Sequence, residues 1–326
     1  MGRETAAKAD RARSRHASRE SRDEAAPSAW HRWCEVKART RQEQFPRRAA
    51  NPGDVDARIW FGTQGWQYAD WVGNFYPPGT QVKDMLTEYG RALRTVEVDS
   101  TYYGTPAART FDGWRRRSPD GFRFGLKTPS EITHVRRLRD VEGPFAEFVE
   151  RARLLGPKLG AILVQCPPDF DPSPDNRSAL FTFMETQMPA DCAIALELRD
   201  ERWYDDDLFR LARRRGFTLA ATEGSHSTLG LASRIAEELT RDPPAPFAYV
   251  RWLGDRQVTK YDRVQIDRTQ SLDVWERLIR RLRGAVRDVY GYANNHYQGH
   301  SPATVRSLAA RLGEEVPPDT TAPRLF

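Results

Sequence analysis

A chain of 326 residues with 39% hydrophobic and 11% aromatic residues is long enough for one large domain, and no apolar run approaches the roughly 20 residues that cross a bilayer. The N-terminus lacks the apolar core of a secretory signal, and Cys34, Cys166 and Cys192 are too few and too scattered for a disulfide framework or a cysteine zinc site, so a cytoplasmic protein is expected. The net charge of +6 is confined to the leader: 13 of the 51 Lys and Arg and 7 of the 45 Asp and Glu lie in residues 1–50, leaving 38 of each in the remainder and no generally basic surface.

Residues 1–52 are rich in Arg, Ala, Ser and Glu and poor in aliphatics, so they predict a disordered Arg-rich arm. Such an arm suits contact with nucleic acid through residues 1–50, or is simply a solvated tail. From Ala57 the texture changes. RIWFG (58–62) reads as a strand, and Val82, Met85, Leu86, Tyr89 and Leu93 carry helical spacing over 81–92. Further strands are expected at 95–99, 122–127, 160–165, 193–199, 217–222, 247–252 and 288–293. Helices are expected near 107–117, 144–155, 175–188, 204–215, 271–283 and 302–312, while 223–246 reads as irregular or partly helical. Eight strands alternating with helices predict an α/β fold, a single (β/α)8 TIM-type barrel over 57–314, followed by a tail at 315–326. An open doubly wound sheet would carry a Gly-rich nucleotide loop after its first strand, and GTQGWQY lacks that spacing.

In such barrels the site forms at the C-terminal ends of the strands. Here those ends read Gln64 and Trp66, Glu97 and Asp99, Lys127 with His134 beyond it, Gln165, Glu197 and Arg199, Thr222, Arg251, and Asn294 with Asn295. Alternation puts Thr95, Glu97 and Asp99 on one face of their strand, and Arg123, Gly125 and Lys127 on one face of the next. Glu97 and Glu197 are the acid/base candidates, since two converging carboxylates push their pKa values apart; the competing reading is structural pairing with the arginines. Lys127 suits an anion, a base or a Schiff-base amine, and His134 suits proton transfer. Arg199 and Arg251 suit a carboxylate or phosphate, with Trp66, Tyr102, Gln165, Asn294 and Asn295 lining the substrate. NNHYQGH (294–300) matches no zinc motif, so no metal site is expected and no cofactor is required. Trp114 and Trp275 fall inside helices and belong to the core.

The blocks GTQGWQYADWVGNFYP, TVEVDSTYYGTP, GFRFGLKTPSEITHVRRL, LVQCPPDF, ALELRDERWY, FAYVRWLG and YGYANNHYQGH resemble the YecE-like family, domain of unknown function 72, over residues 58–312. The resemblance implies a TIM-type barrel and brings no reaction with it. The family's polar blocks correspond to Glu97, Lys127, His134, Gln165, Glu197, Arg199, Arg251, Asn294 and Asn295, while Gln64 stands where the family often has Ser. The expected function is an enzyme, a hydrolase, lyase or isomerase, acting on a phosphorylated sugar or nucleotide-like anion by carboxylate acid/base chemistry. The alternative is a nucleic-acid-binding module using the arm and the pocket aromatics. No membrane partner is expected.

Overall fold

The computed structural model describes residues 57–315. The arm over 1–52 and most of the tail lie outside the described residues, as does Cys34. In chain order the elements are β1 Arg58–Gln64, α1 Met85–Ala92, β2 Thr95–Val98, α2 Ala108–Arg117, β3 Arg123–Lys127, α3 Glu142–Arg153, β4 Leu159–Gln165 and α4 Pro174–Thr186. They continue with β5 Ala193–Glu197, α5 Asp206–Arg215, β6 Thr218–Gly224, α6 Leu229–Arg241, β7 Phe247–Gly254, α7 Thr269–Arg283, β8 Asp288–Ala293 and α8 Ser301–Leu312. Every neighbouring pair of strands is parallel, and β8 pairs with β1 to close the barrel. Among the described residues no helix is long and apolar enough to cross a membrane.

One local expectation is corrected and a second is made definite. The helix expected from residue 81 begins at Met85, because residues 82–84 turn first, and Val82 is left 60% exposed. Within 223–246, expected to be irregular or partly helical, Leu229–Arg241 form the thirteen-residue α6. The Thr228 hydroxyl accepts the Leu231 N–H at 3.2 Å as an N-cap, and Leu231, Ile235 and Leu239 recur every fourth residue on the buried face. Gly216 ends α5 in the left-handed conformation, φ 67°, as its position after the last helical residue requires.

Strand alternation divides the core in two. One set, including Val96, Val98, Phe124, Leu126, Ile162, Val164, Ile194, Leu196 and Val250, belongs to the same apolar cluster as helix residues such as Leu86, Phe111, Phe148, Ile235, Trp275 and Leu308. The other set faces the barrel axis: Trp60, Ala161, Leu163, Ala195, Ala220, Phe247, Tyr249, Tyr290 and Tyr292. Two tyrosines supply the bulk at mid-height, and small residues on other strands make room for them. A Cβ at Gly125 would stand 2.9 Å from the Tyr292 hydroxyl, and one at Gly62 would stand 2.0 Å from the Thr95 carbonyl oxygen. The N-terminal end is closed by Asp288, which accepts from Arg58 Nε at 2.8 Å, Trp60 Nε1 at 2.9 Å and Arg287 Nε at 2.9 Å. The Arg123 guanidinium lies 5.2 Å from the Trp60 ring.

Candidate active site at the barrel mouth

Arg251, inward on β7 and only 2% exposed, is the hub of the C-terminal end. It grips Glu97 side-on, Nη2 donating to Oε1 at 2.6 Å and Nε to Oε2 at 3.0 Å. Its Nη1 donates to Glu197 Oε2 at 2.6 Å and to Gln165 Oε1 at 3.3 Å. The Tyr249 hydroxyl adds a 2.6 Å bond to Glu97 Oε2; Thr222 Oγ1 and Arg199 Nε donate to the two Glu197 oxygens at 3.1 and 2.9 Å. Each glutamate therefore accepts three hydrogen bonds in a charge-assisted network. Their acidities part. Burial pushes the Glu97 carboxyl up against the pull of Arg251. Burial also works to raise Glu197, but Arg251 and Arg199 outweigh it and hold that carboxyl at about 2.

Above this network the charges are not matched. Lys127 closes β3, and its carbonyl oxygen accepts the Thr101 hydroxyl at 2.6 Å, which ties the turn after β2 to the end of β3. Its ammonium lies 4.3 Å from the centre of the Tyr102 ring and forms no hydrogen bond or ion pair with any described residue. Burial pushes the amine below the usual lysine range, with the Asp99 charge acting in the other direction. Asp99 opens the 3-10 turn Asp99–Tyr103, whose three-residue period puts Asp99 and Tyr102 on one side. Asp99 Oδ1 is buried without a hydrogen-bond partner and stands 4.0 Å from Arg251 Nη2.

His134 lies in the π-helical turn Glu131–Val135, edge-on to Tyr102 at 5.0 Å, with Nδ1 2.8 Å from the Thr133 hydroxyl. Burial lowers its pKa to about 4, and Lys127 and Arg199 push the same way, so the ring is neutral at pH 7. The next residues hold three non-glycine left-handed conformations, at Arg137, Leu138 and Asp140. Each costs on the order of 1–3 kcal/mol, and such strain gathers beside working sites.

The structure thus brings Glu97, Lys127, Gln165, Glu197, Arg199 and Arg251 to one end, with Tyr102 and His134 on its rim. Others are placed elsewhere. Trp66 is buried edge-on against Trp114 at 5.9 Å, in the layer between strands and helices, so it does not line the mouth as the sequence suggested. Asn295 is 1% exposed, and its Oδ1 accepts from Ser301 N–H at 3.0 Å and Trp71 Nε1 at 3.2 Å, which holds the start of α8. Asn294 donates to Gln64 Oε1 at 2.8 Å and caps the short helix Asn295–Gln298. Most of the aromatics after β1 and β5 (Trp71, Phe75, Tyr76, Trp203, Tyr204) anchor loops and are buried. Sequence reasoning gave no role to Asp99 or Tyr249, although alternation already set Asp99 beside Glu97 and Tyr249 beside Arg251. Among the described residues no three His, Cys, Asp or Glu side chains gather as metal ligands. A cleft of about 650 Å³ lies away from the mouth, beside Glu201, Asp205, Phe209, Arg213 and Glu238. Its charged lining is largely paired, as in Arg213 with Asp242 at 2.6 Å and Asp205 with Arg177 at 2.8 Å, so the unmatched charges of the mouth are the better pointer to chemistry.

A family model described as "Protein of unknown function DUF72" matches residues 60–325. The chain belongs to this family. It is similar to the UPF0759 protein YecE of Escherichia coli (strain K12), 29% identical over 146 residues, 45% of this chain and half the length of that relative. It is also similar to the UPF0759 protein YunF of Bacillus subtilis (strain 168), 25% identical over 280 residues, 79% of this chain and 95% of that one. Among solved structures, a DUF72 family protein from Thermotoga maritima MSB8 superposes with a TM-score of 0.65 at 23% identity, covering 79% of this chain and 100% of that one. A second, from Enterococcus faecalis V583, gives 0.59 at 20% identity, covering 79% and 98%. These likenesses establish the DUF72 barrel and carry no reaction.

Proposed function

We propose that this DUF72 protein is an enzyme that takes a small anionic substrate, a phosphorylated sugar or nucleotide-like molecule, at the C-terminal mouth and acts on it by acid/base chemistry. One observation carries the reading: in a layer where Arg251 holds both Glu97 and Glu197, Lys127 Nζ has no hydrogen bond or ion pair among the described residues, and the buried Asp99 Oδ1 has no hydrogen bond, only the Arg251 guanidinium at 4.0 Å. A partly desolvated ammonium without an ion pair and a buried carboxylate oxygen without a hydrogen bond both cost stability, and a ligand offering an anion to one and a hydroxyl to the other would relieve both. Arg199 and Lys127 hold the anion. Proton transfer falls to Asp99 and neutral His134, while Glu97 and Glu197 fix the two arginines.

The test is calorimetric titration of the wild type, Lys127→Met and Asp99→Asn with phosphate, sugar phosphates, nucleoside monophosphates and the parent sugars. Binding confined to the phosphorylated compounds, weakened at least tenfold in Lys127→Met, is the expected result. Equal binding by the uncharged sugars, or no loss in Lys127→Met, would contradict it. The nucleic-acid reading retains one supporting observation, Tyr103, 87% exposed at the rim and edge-on to Tyr102 at 5.5 Å. A salt series with single-stranded oligonucleotides on wild type and Tyr103→Ala tests it.

A further inference from the structure

We propose that Lys127 is a nucleophilic amine that forms an imine with a substrate carrying both a carbonyl and an anionic group. The inference rests on the anion-site reading above and adds the class of bond the enzyme works on. Three carboxylates share the mouth with this lysine, yet none lies within 4.0 Å of its amine, because Arg251 and Arg199 have taken the glutamate oxygens. A lysine placed to neutralise the barrel end would be paired with one of them. Lys127 is instead set on a rigid strand end, its carbonyl held by Thr101 and its Cα in register with Leu163 of β4, while the amine stays open to the mouth. A fixed, partly desolvated amine without an ion pair is what carbonyl addition needs.

The remaining groups supply the rest of the chemistry. The Arg199 guanidinium spends Nε on Glu197, and its two terminal nitrogens have no partner among the described residues, so it presents a fork for the carboxylate or phosphate of the substrate. Asp99 Oδ1, which accepts no hydrogen bond and has only Arg251 Nη2 at 4.0 Å, is the acceptor for the proton that the ammonium must lose first. His134, neutral, places no further fixed cation beside the amine.

The step balances without an oxidant or reductant. Because Asp99 stands more than 4.0 Å away, it takes a proton from the ammonium through one intervening water, and the free amine adds to the carbonyl carbon. The carbonyl π pair moves to oxygen, which receives the second amine proton to give a carbinolamine. Asp99 then returns its proton to the departing hydroxyl as the nitrogen lone pair forms the C=N bond. The sum is ammonium plus carbonyl giving iminium plus one water, with Asp99 ionised at both ends.

The experiment is borohydride trapping on the full 326-residue chain, with glyoxylate, pyruvate and dihydroxyacetone phosphate as anionic carbonyls and propanal as the uncharged control, read by peptide mass mapping. The expected result is one reduced adduct on the Lys127 peptide with an anionic carbonyl, at least tenfold above the exposed Lys83 and Lys260. It disappears in Lys127→Arg, and Asp99→Asn slows labelling at least tenfold. Labelling of Lys127 no faster than of Lys83 and Lys260, or none with any of the three, would overturn the imine. Calorimetry with the same three anions and phosphate separates the two levels of the account. If Lys127→Arg binds them as the wild type does and the wild type forms no adduct, the anion site stands and the imine falls. If the wild type binds none of them, both fall.

Discussion

The two ends of the barrel solve the same problem differently. At the N-terminal end Asp288 receives donors from Arg58, Arg287 and Trp60, and those two arginines are more than half exposed. Every charge there has either a partner or water. At the C-terminal end Arg251 is almost fully enclosed, and its network holds two glutamates while leaving the Lys127 ammonium without an ion pair and Asp99 Oδ1 without a hydrogen bond among the described residues. A fold selected for stability alone would repeat the first arrangement. The difference separates the charges that hold the barrel together from those left free for a ligand.

The comparison can be broken most severely at Arg251. Arg251→Ala strands two buried carboxylates, so chemical denaturation at pH 7 is expected to show a loss of about 3–5 kcal/mol. Asp288→Ala removes hydrogen bonds to a charged group but leaves exposed arginines hydrated, and is expected to cost about 1–3 kcal/mol by the same measurement. If Asp288→Ala proves the costlier of the two, the ranking of the ends is reversed.

Acid sharpens it further. The Glu197 carboxyl lies at about 2 in the folded protein against an ordinary 4.5, so the unfolded chain takes up that proton first. The stability Glu197 contributes is complete above about pH 4.5 and drains away as pH falls towards 2. Urea midpoints between pH 5 and 3 should therefore fall more steeply in the wild type than in Glu197→Gln; parallel curves would remove the ion pair from the account. The smallest effect is at the rim. His134 should titrate near 4 by NMR rather than at 6.5, and a midpoint near 6.5 would mean that it is not held beside Lys127 and Arg199.

Strand alternation made much of this readable in the sequence. It set Thr95 and Glu97 on one face and Lys127 with Gly125 on another, and both faces line the barrel axis, where Tyr292 meets Thr95 and Gly125. What alternation cannot give is pairing across the barrel. Glu97 and Arg251 are 154 residues apart in sequence, and only the closed sheet reveals that one arginine serves two glutamates. The same closure leaves Asp99 open, which no spacing rule predicts. Trp66 misled because aromatics in loop sequences look alike whether they stack on a ligand or, as here, pack edge-on against Trp114. The bounds of α6 are not legible in the sequence because the polar run 223–228 hides its cap at Thr228.

The Lys127 ammonium is set aside for a ligand: the fold gives it the Tyr102 ring but no ion pair. The most direct test of this is equilibrium denaturation of Lys127→Met beside Arg251→Ala at pH 7. The account predicts that Lys127→Met is as stable as the wild type or more so, because it exchanges an unpartnered, partly desolvated charge for an apolar chain of similar length. A loss comparable to that of Arg251→Ala would show Lys127 to be one more member of the structural network, and the open half of the mouth would lose its meaning.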